Sequence, residues 1–280
     1  MANIEQLGSL AEFLQRHARV LVLSGAGMST ASGIPDYRDK DGVRRGRLPI
    51  QGPEFLRDDA IRRRYWARSM VGWAMLARAA PNAGHLALAQ LEAGGWISSL
   101  ITQNVDGLHQ RAGSQRLIEL HGNIHGVVCL DCRSGFARAE VQGWLTQANP
   151  ELAQALASPL PDGDAQIEPD ALQEFQLPVC PHCGGRLKPD VVFFGDNVPA
   201  ERTASALDWM AGADALLVVG SSLMVFSGFR FCKLAAETGK PIAALNIGKT
   251  RADDLLELKV EATAEQVLPS LVSACGLRRA

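Results

Sequence analysis

The chain has 280 residues, 47% hydrophobic and 21% charged, with 28 Lys plus Arg against 30 Asp plus Glu. This composition excludes wholesale disorder, and a net charge of −2 lacks the basic excess of a general nucleic-acid binder. No apolar run approaches the roughly 20 residues of a bilayer span, and MANIEQLGSL resembles neither a secretory nor an Arg-rich targeting segment. A soluble cytoplasmic protein with no membrane or direct nucleic-acid partner is therefore expected.

In chain order, Ile4–His17 has helical spacing and leads into the apolar run Arg19–Ser24, read as a buried strand turning at Gly25-Ala26-Gly27. Arg44–Arg68 follows, with eight arginines against three acids. It reads either as a solvated helix face or as a segment lying over a phosphate or an acidic ligand. The helix His85–Glu92 precedes the strand Ile97–Thr102, which ends in Gln103-Asn104, and the short strand Arg116–Leu120 precedes His121-Gly122. Between Cys132 and Cys180 lies an acidic, proline-punctuated stretch with a helical fragment at Ala139–Gln147, read as part of a small inserted module. Further on, the helix Glu201–Ala211 and the strand Ala213–Val219 end in Gly220-Ser221-Ser222. The helix Phe226–Glu237 and the strand Pro241–Leu245 end in Asn246-Ile247-Gly248. Strand–helix alternation of this kind predicts an α/β fold, a Rossmann-like doubly wound parallel sheet, with ligands outside the carboxyl ends of the strands.

Several motifs carry chemistry. In Gly25-Ala26-Gly27-Met28-Ser29-Thr30 the third glycine of the dinucleotide fingerprint is replaced by Thr30, so the residues alone allow a nucleotide turn or a ligand-free tight turn. Thr102-Gln103-Asn104-Val105-Asp106-Gly107-Leu108-His109 sets two amides and a carboxylate at a strand end, suited to a carboxamide ligand; Asp106 also suits a helix cap. His17, His85 and His182 have no polar constellation around them. Cys129, Cys132, Cys180 and Cys183 form two C-x-x-C pairs, the ligand set of a closed, structural Zn²⁺ site, whereas Cys232 and Cys275 read as a packing and a tail residue.

The ordered set GAGMS, GIPDYR, TQNVDGLH, the His121-Gly122 pair, two C-x-x-C pairs, KPDVVFFGD, GSSL and NIG resembles that of the sirtuins, from about Val20 to Pro269. PIQGPEFLRDDAIRRRYWARSMVGW and LNIGKTRADDL are most similar to class II sirtuins, the group containing human sirtuin four. The resemblance implies a single catalytic domain. Residues 1–40, 82–122 and 188–280 would form the NAD-binding part, 41–81 a cofactor-binding loop and helical segment, and 123–187 the zinc module. It implies an NAD-dependent protein-lysine deacylase that cleaves the nicotinamide–ribose bond and passes the acyl group to ADP-ribose through an alkylimidate. His121 takes the general-base role. Gln103, Asn104, Val105 and Asp106 would face the carboxamide and ribose; Ile34, Pro35 and Asp36 would line the nicotinamide pocket. Tyr37 would shield the anomeric face, and Gly25, Ala26, Gly27, Ser29 and Arg38 would place phosphate and ribose. Gly220, Ser221, Ser222, Asn246, Ile247 and Gly248 would hold the adenosine half, with Ala264 against adenine. The extended run Val191–Gly195 resembles the strand that pairs with the substrate backbone, so Val192, Phe193, Phe194 and Gly195 would border an acyl-lysine protein or peptide. The RRRYWARSMVGW segment would supply the acyl pocket. Three alternatives stay open: mono-ADP-ribosyl transfer or long-acyl removal at the same site, a non-catalytic NAD and zinc module, and a hydride-transferring dehydrogenase.

Overall fold

Apolar runs that end in glycine or amide residues become the strands of one parallel sheet. The computed structural model describes residues 4–46, 48–153 and 172–276. Its first half contains α1 (Ile4–Arg16), β1 (Val20–Ser24), α2 (Gly52–Arg57), α3 (Asp59–Arg78), α4 (Ala83–Ala93), β2 (Ser99–Thr102), α5 (Leu108–Ala112) and β3 (Leu117–Glu119). Then come β4 (Gly122–Cys129), β5 (Gly135–Ala137), α6 (Arg138–Ala148), α7 (Pro150–Ala153) and β6 (Leu187–Val191). The chain continues through α8 (Ala200–Gly212), β7 (Ala215–Val219), α9 (Phe226–Glu237), β8 (Ile242–Leu245), β9 (Leu258–Val260) and α10 (Ala264–Cys275). The proline-rich part of the expected insert, residues 154–171, and Arg47 lie outside the described residues. Among the described residues no helix is long and apolar enough to cross a membrane.

β1, β2, β7 and β8 are buried along their whole length, as strands covered on both faces must be. Their side chains alternate between two cores. Val20, Val22, Leu217 and Val219 pack with Leu10 and Leu14 of α1, Leu88 of α4 and Leu268 of α10. Leu21, Leu23, Leu216 and Val218 pack with Met210 of α8 and Phe231 and Cys232 of α9. The sheet order is β3-β2-β1-β7-β8-β9, every neighbouring pair parallel. This is the doubly wound arrangement, and its order reverses between β1 and β7.

A second, antiparallel sheet, ordered β5-β4-β6, lies with α3 and α6 around a third core that includes Phe55, Trp66, Met70, Val127, Val141 and Phe193. Arg138 is buried between these helices. Its guanidinium lies over the rings of Trp66 (5.5 Å) and Trp73 (4.7 Å) and donates to the Ser69 carbonyl and to Gln142 Oε1. Burial lowers its pKa to about 10, which leaves it a cation at neutral pH, tying α6 to α3.

Of the run Val191–Gly195, likened above to a substrate-pairing strand, β6 takes in only Val191, and the rest lies beyond the sheet. β6 ends at Val191 because its partner β4 begins at Gly122, and Gly122–Val191 is the terminal pair. Beyond it Phe194 makes a single parallel bridge to Gln51, and Gly195 turns the chain at φ +81°.

Candidate active site

A cavity of about 620 Å³ opens at the carboxyl ends of β1, β2, β7 and β8, beside the reversal in strand order. It forms where the turns after β1 and β7 meet. Gly25 N–H donates to the Val219 carbonyl (3.0 Å) and Gly27 N–H to the Gly220 carbonyl (2.8 Å). Gly220 has φ +60°, and a Cβ there would sit 2.5 Å from Met28 N, so only glycine lets the turns touch. The cavity is lined by Gly25, Ala26, Gly27 and Ser29, by Ile34, Pro35, Asp36, Tyr37 and Arg38, and by Gln103, Asn104, Val105 and Asp106. Gly220, Ser221, Ser222, Asn246 and Ile247 complete this wall. Two expected residues are not part of it. Gly248 (φ +80°) backs onto Lys40, whose carbonyl accepts from Lys249 N–H at 2.7 Å, so its missing side chain makes room for protein rather than ligand. Ala264 opens α10 and is 3% exposed in the core beside α1 and α4, because the apolar face of α10 is what covers the sheet there.

The polar groups of the first wall are knitted together. Ser29 Oγ donates to Asp106 Oδ2 (2.7 Å) and accepts from Asn104 Nδ2 (3.1 Å), which also donates to the Gly25 carbonyl (3.0 Å). Asp106 Oδ1 accepts from Leu108 N–H (3.0 Å), so this carboxylate both lines the cavity and braces the start of α5. Asp36 pairs with Arg45 (3.0 Å), Tyr37 packs edge-on against Phe194, and the Arg44 guanidinium lies 4.9 Å from the Phe194 ring. The arginine-rich stretch thus divides. Arg44 and Arg45 face the cavity, whereas Arg62 is buried and donates to the Phe55 (2.7 Å) and Leu56 (3.0 Å) carbonyls.

His121 stands at the junction of the two sheets. Its Nδ1 meets the Gln103 carbonyl at 2.8 Å, and a carbonyl only accepts, so Nδ1 carries the proton and Nε2 the acceptor lone pair. Nε2 accepts from Ser227 Oγ at 2.8 Å. Burial lowers the His121 pKa, the Gln103 hydrogen bond partly restores it, and Arg202 lowers it further. The opposite wall carries Val192, Phe193, Phe194 and Gly195, and Val192 N–H donates to the His121 carbonyl (2.8 Å). Phe193 is wedged against Phe55 (5.0 Å) and Tyr65 (5.1 Å). Of α3 only Leu76 reaches the cavity; from the RRRYWARSMVGW segment, Tyr65 packs behind Phe193.

Two features escaped the reading of the residues. Ser227 gave no signal, being a lone serine in a helical pattern. His85 looked isolated, yet it is fully buried, with its ring 4.8 Å from that of His109. His109 Nε2 lies 2.9 Å from Ser24 Oγ, which donates to Thr102 Oγ1 (2.8 Å) beneath the cavity floor. Burial drives His85 from its ordinary 6.5 to about 4 and His109 well below its ordinary value. Both are neutral in the fold and bind protons more readily once unfolded, so stability is full above about pH 6.5 and falls as acid takes the pH from there toward 4. The His85 shift alone predicts a loss of about 2 kcal/mol between about pH 7.5 and pH 5. Urea unfolding at the two pH values measures it, and His85→Gln is expected to shrink the difference.

Outside the cavity, the four C-x-x-C thiols converge. Their Sγ atoms all lie within 4.8 Å of one another, with Cys129–Cys183 and Cys132–Cys180 both at 3.6 Å. A tetrahedral Zn²⁺ with S ligands at about 2.3 Å requires S–S edges of about 3.8 Å, so the set fits that ion with no open position. Cys129 and Cys180 are buried, Cys132 and Cys183 exposed.

The model of the Sir2 family matches residues 25–227. The chain belongs to the Sir2 family. This Sir2 protein is 55% identical over 269 residues to an "NAD-dependent protein deacetylase" of Xanthomonas campestris pv. campestris, covering 96% of this chain and 92% of that one. It is also 55% identical over 252 residues to "NAD-dependent protein deacetylase 3" of Pseudomonas syringae pv. tomato, covering 90% of each. A solved Sir2 structure described as "Sir2-p53 peptide-NAD+" superposes with a TM-score of 0.77 at 27% identity, covering 97% of this chain and 99% of that chain.

Proposed function

We propose that this Sir2 protein is an NAD-dependent protein-lysine deacetylase, and that the cavity at the strand ends is its active site. The observation that carries this reading is an imidazole that lines a large cavity where the two sheets meet, with its Nδ1 protonated by the Gln103 contact and its Nε2 an acceptor. The donor set fits the dinucleotide: amides of Gln103 and Asn104, hydroxyls of Ser221 and Ser222, and the carboxylates of Asp36 and Asp106 converge on one cavity of suitable size. When bound, NAD⁺ supplies a glycosidic bond whose cleavage releases nicotinamide and leaves ADP-ribose to accept the acyl group.

This chain's residues bind, orient and move a proton. His121 Nε2 takes a proton from a ribose hydroxyl, and the pKa lowered by burial keeps it unprotonated near neutrality. Asn104 and Asp106, locked through Ser29, hold the nicotinamide riboside end, with Ile34 and Pro35 packing beside it. Tyr37 and Phe194 keep water from the reacting carbon. Ser221, Ser222, Asn246 and Ile247 take the adenosine half. Val192–Gly195 border the acyl-lysine, and Phe193, held by Phe55 and Tyr65, forms the wall that reads the acyl chain, where the class II likeness of α3 bears on acyl choice. The four thiolates hold Zn²⁺ as a structural ion, and six cysteines with no disulfide among them suit the reducing cytoplasm.

The test is incubation with NAD⁺ and acetyl-lysine peptides, followed by mass spectrometry. Nicotinamide, deacetylated peptide and O-acetyl-ADP-ribose in equal amounts are expected. ADP-ribosylated protein without any deacylated peptide would replace this reading with the transferase one.

A further inference from the structure

We propose that Ser227 is a positioning residue for the His121 base, a role that rests on the deacetylase reading above. The His121 ring is held at both nitrogens, by Gln103 at Nδ1 and by Ser227 at Nε2, each at 2.8 Å. The Gln103 bond alone leaves the ring free to rock about it; the second bond, from a different element, fixes its plane and the direction of the lone pair. Ser227 lies in the first turn of α9 and lines the cavity, so a hydroxyl that reaches Nε2 arrives beside Ser227 Oγ.

The placement is built into the fold. The next residue, Gly228, is buried against the Gln103 side-chain amide, in the space a Cβ would fill. The same amide donates to Ser221 Oγ (2.9 Å) at the end of β7. Gln103 therefore grips His121 with its backbone and seats α9 with its side chain, and the absence of a side chain at Gly228 lets the helix come close enough for Ser227 to reach the base.

Serine suits both protonation states. Its hydroxyl donates to the bare Nε2 and, once Nε2 has taken the ribose proton, turns to accept from the new N–H. The proton moves from the ribose hydroxyl to His121; Ser227 exchanges a donor role for an acceptor role and keeps its own hydrogen.

Ser227→Ala and Ser227→Thr test this. In the alanine variant kcat is expected to fall about tenfold, the worth of one buried hydrogen bond, while KM for NAD⁺ stays within about twofold and thermal melting is unchanged. In ¹⁵N-histidine-labelled protein without substrates, the His121 Nε2 resonance is expected to move toward that of an unbonded imidazole nitrogen. Threonine is expected to restore both. Wild-type kcat in the alanine variant, or a lowered kcat with an unmoved Nε2 resonance, would overturn the proposal. A wild-type protein that deacylates nothing would instead sink the deacetylase reading and the kinetic role with it, while the nitrogen resonance still decides the Ser227 contact.

Discussion

A His121→Ala variant is expected to lose about 10²–10⁴-fold in deacetylation rate, the usual worth of a general base, while still binding NAD⁺. The imidazole lines the cavity at the junction of the sheets with Nε2 held as the acceptor by its own hydrogen bonding, and alanine leaves no basic nitrogen there. The turns after β1, β2 and β7 that line much of the cavity hold one another through Gly27–Gly220, Asn104–Gly25 and Gln103–Ser221 contacts that do not pass through the ring. Calorimetry of NAD⁺ binding and product analysis on the same preparation separate the two effects; full turnover in the variant would remove the base assignment. The pH dependence has a definite sign. Burial lowers the His121 pKa, so the base stays unprotonated as the pH falls to the ordinary histidine value, and the acid limb of kcat/KM is expected below about 6.5.

Removing the metal is expected to unfold the smaller sheet and abolish activity together. Zn²⁺ held by four thiolates contributes about 10–16 kcal/mol in small modules, comparable with the whole stability of an ordinary domain. Cys129 ends β4, and Cys180 lies shortly before β6, so the site clamps the paired strands β4 and β6 at the end opposite the cavity. At the other end β4 starts beside His121 and β6 runs into Val192, whose N–H binds the His121 carbonyl. Cys180→Ser, or exhaustive chelation, is thus expected to lower the melting temperature sharply and to erase the near-ultraviolet signal of Trp66 and Trp73. Apoprotein with native melting and spectra would show that the thiols hold no structural ion.

The central strands were legible because burial on both faces leaves an unbroken apolar run, and each ended at the glycine or amide that shapes the cavity. Cys129, Cys132, Cys180 and Cys183 were legible because a tetrahedral ion imposes a short, fixed spacing. What escaped depends on distance in space. Ser227 is an ordinary helical serine until α9 is laid against Gln103, and His85 an ordinary amphipathic residue until α4 brings it onto His109. That β6 stops at Val191 was not legible, because its pairing depends on where β4 starts, 69 residues upstream at Gly122, which the local apolar pattern does not encode. The core position of Ala264 was illegible for the same kind of reason: a small residue beside a cavity and a small residue under a helix look alike in one dimension.

The alternation of β1 between its two cores has a consequence for how such chains diverge. Loss of a single codon within Val20–Ser24 would exchange the two sets of side chains between the faces and pull Gly25 and Gly27 about 3.3 Å away from Gly220. Length changes in this strand are expected to be purged in descendants, whereas point replacements among Val, Leu and Ile are tolerated.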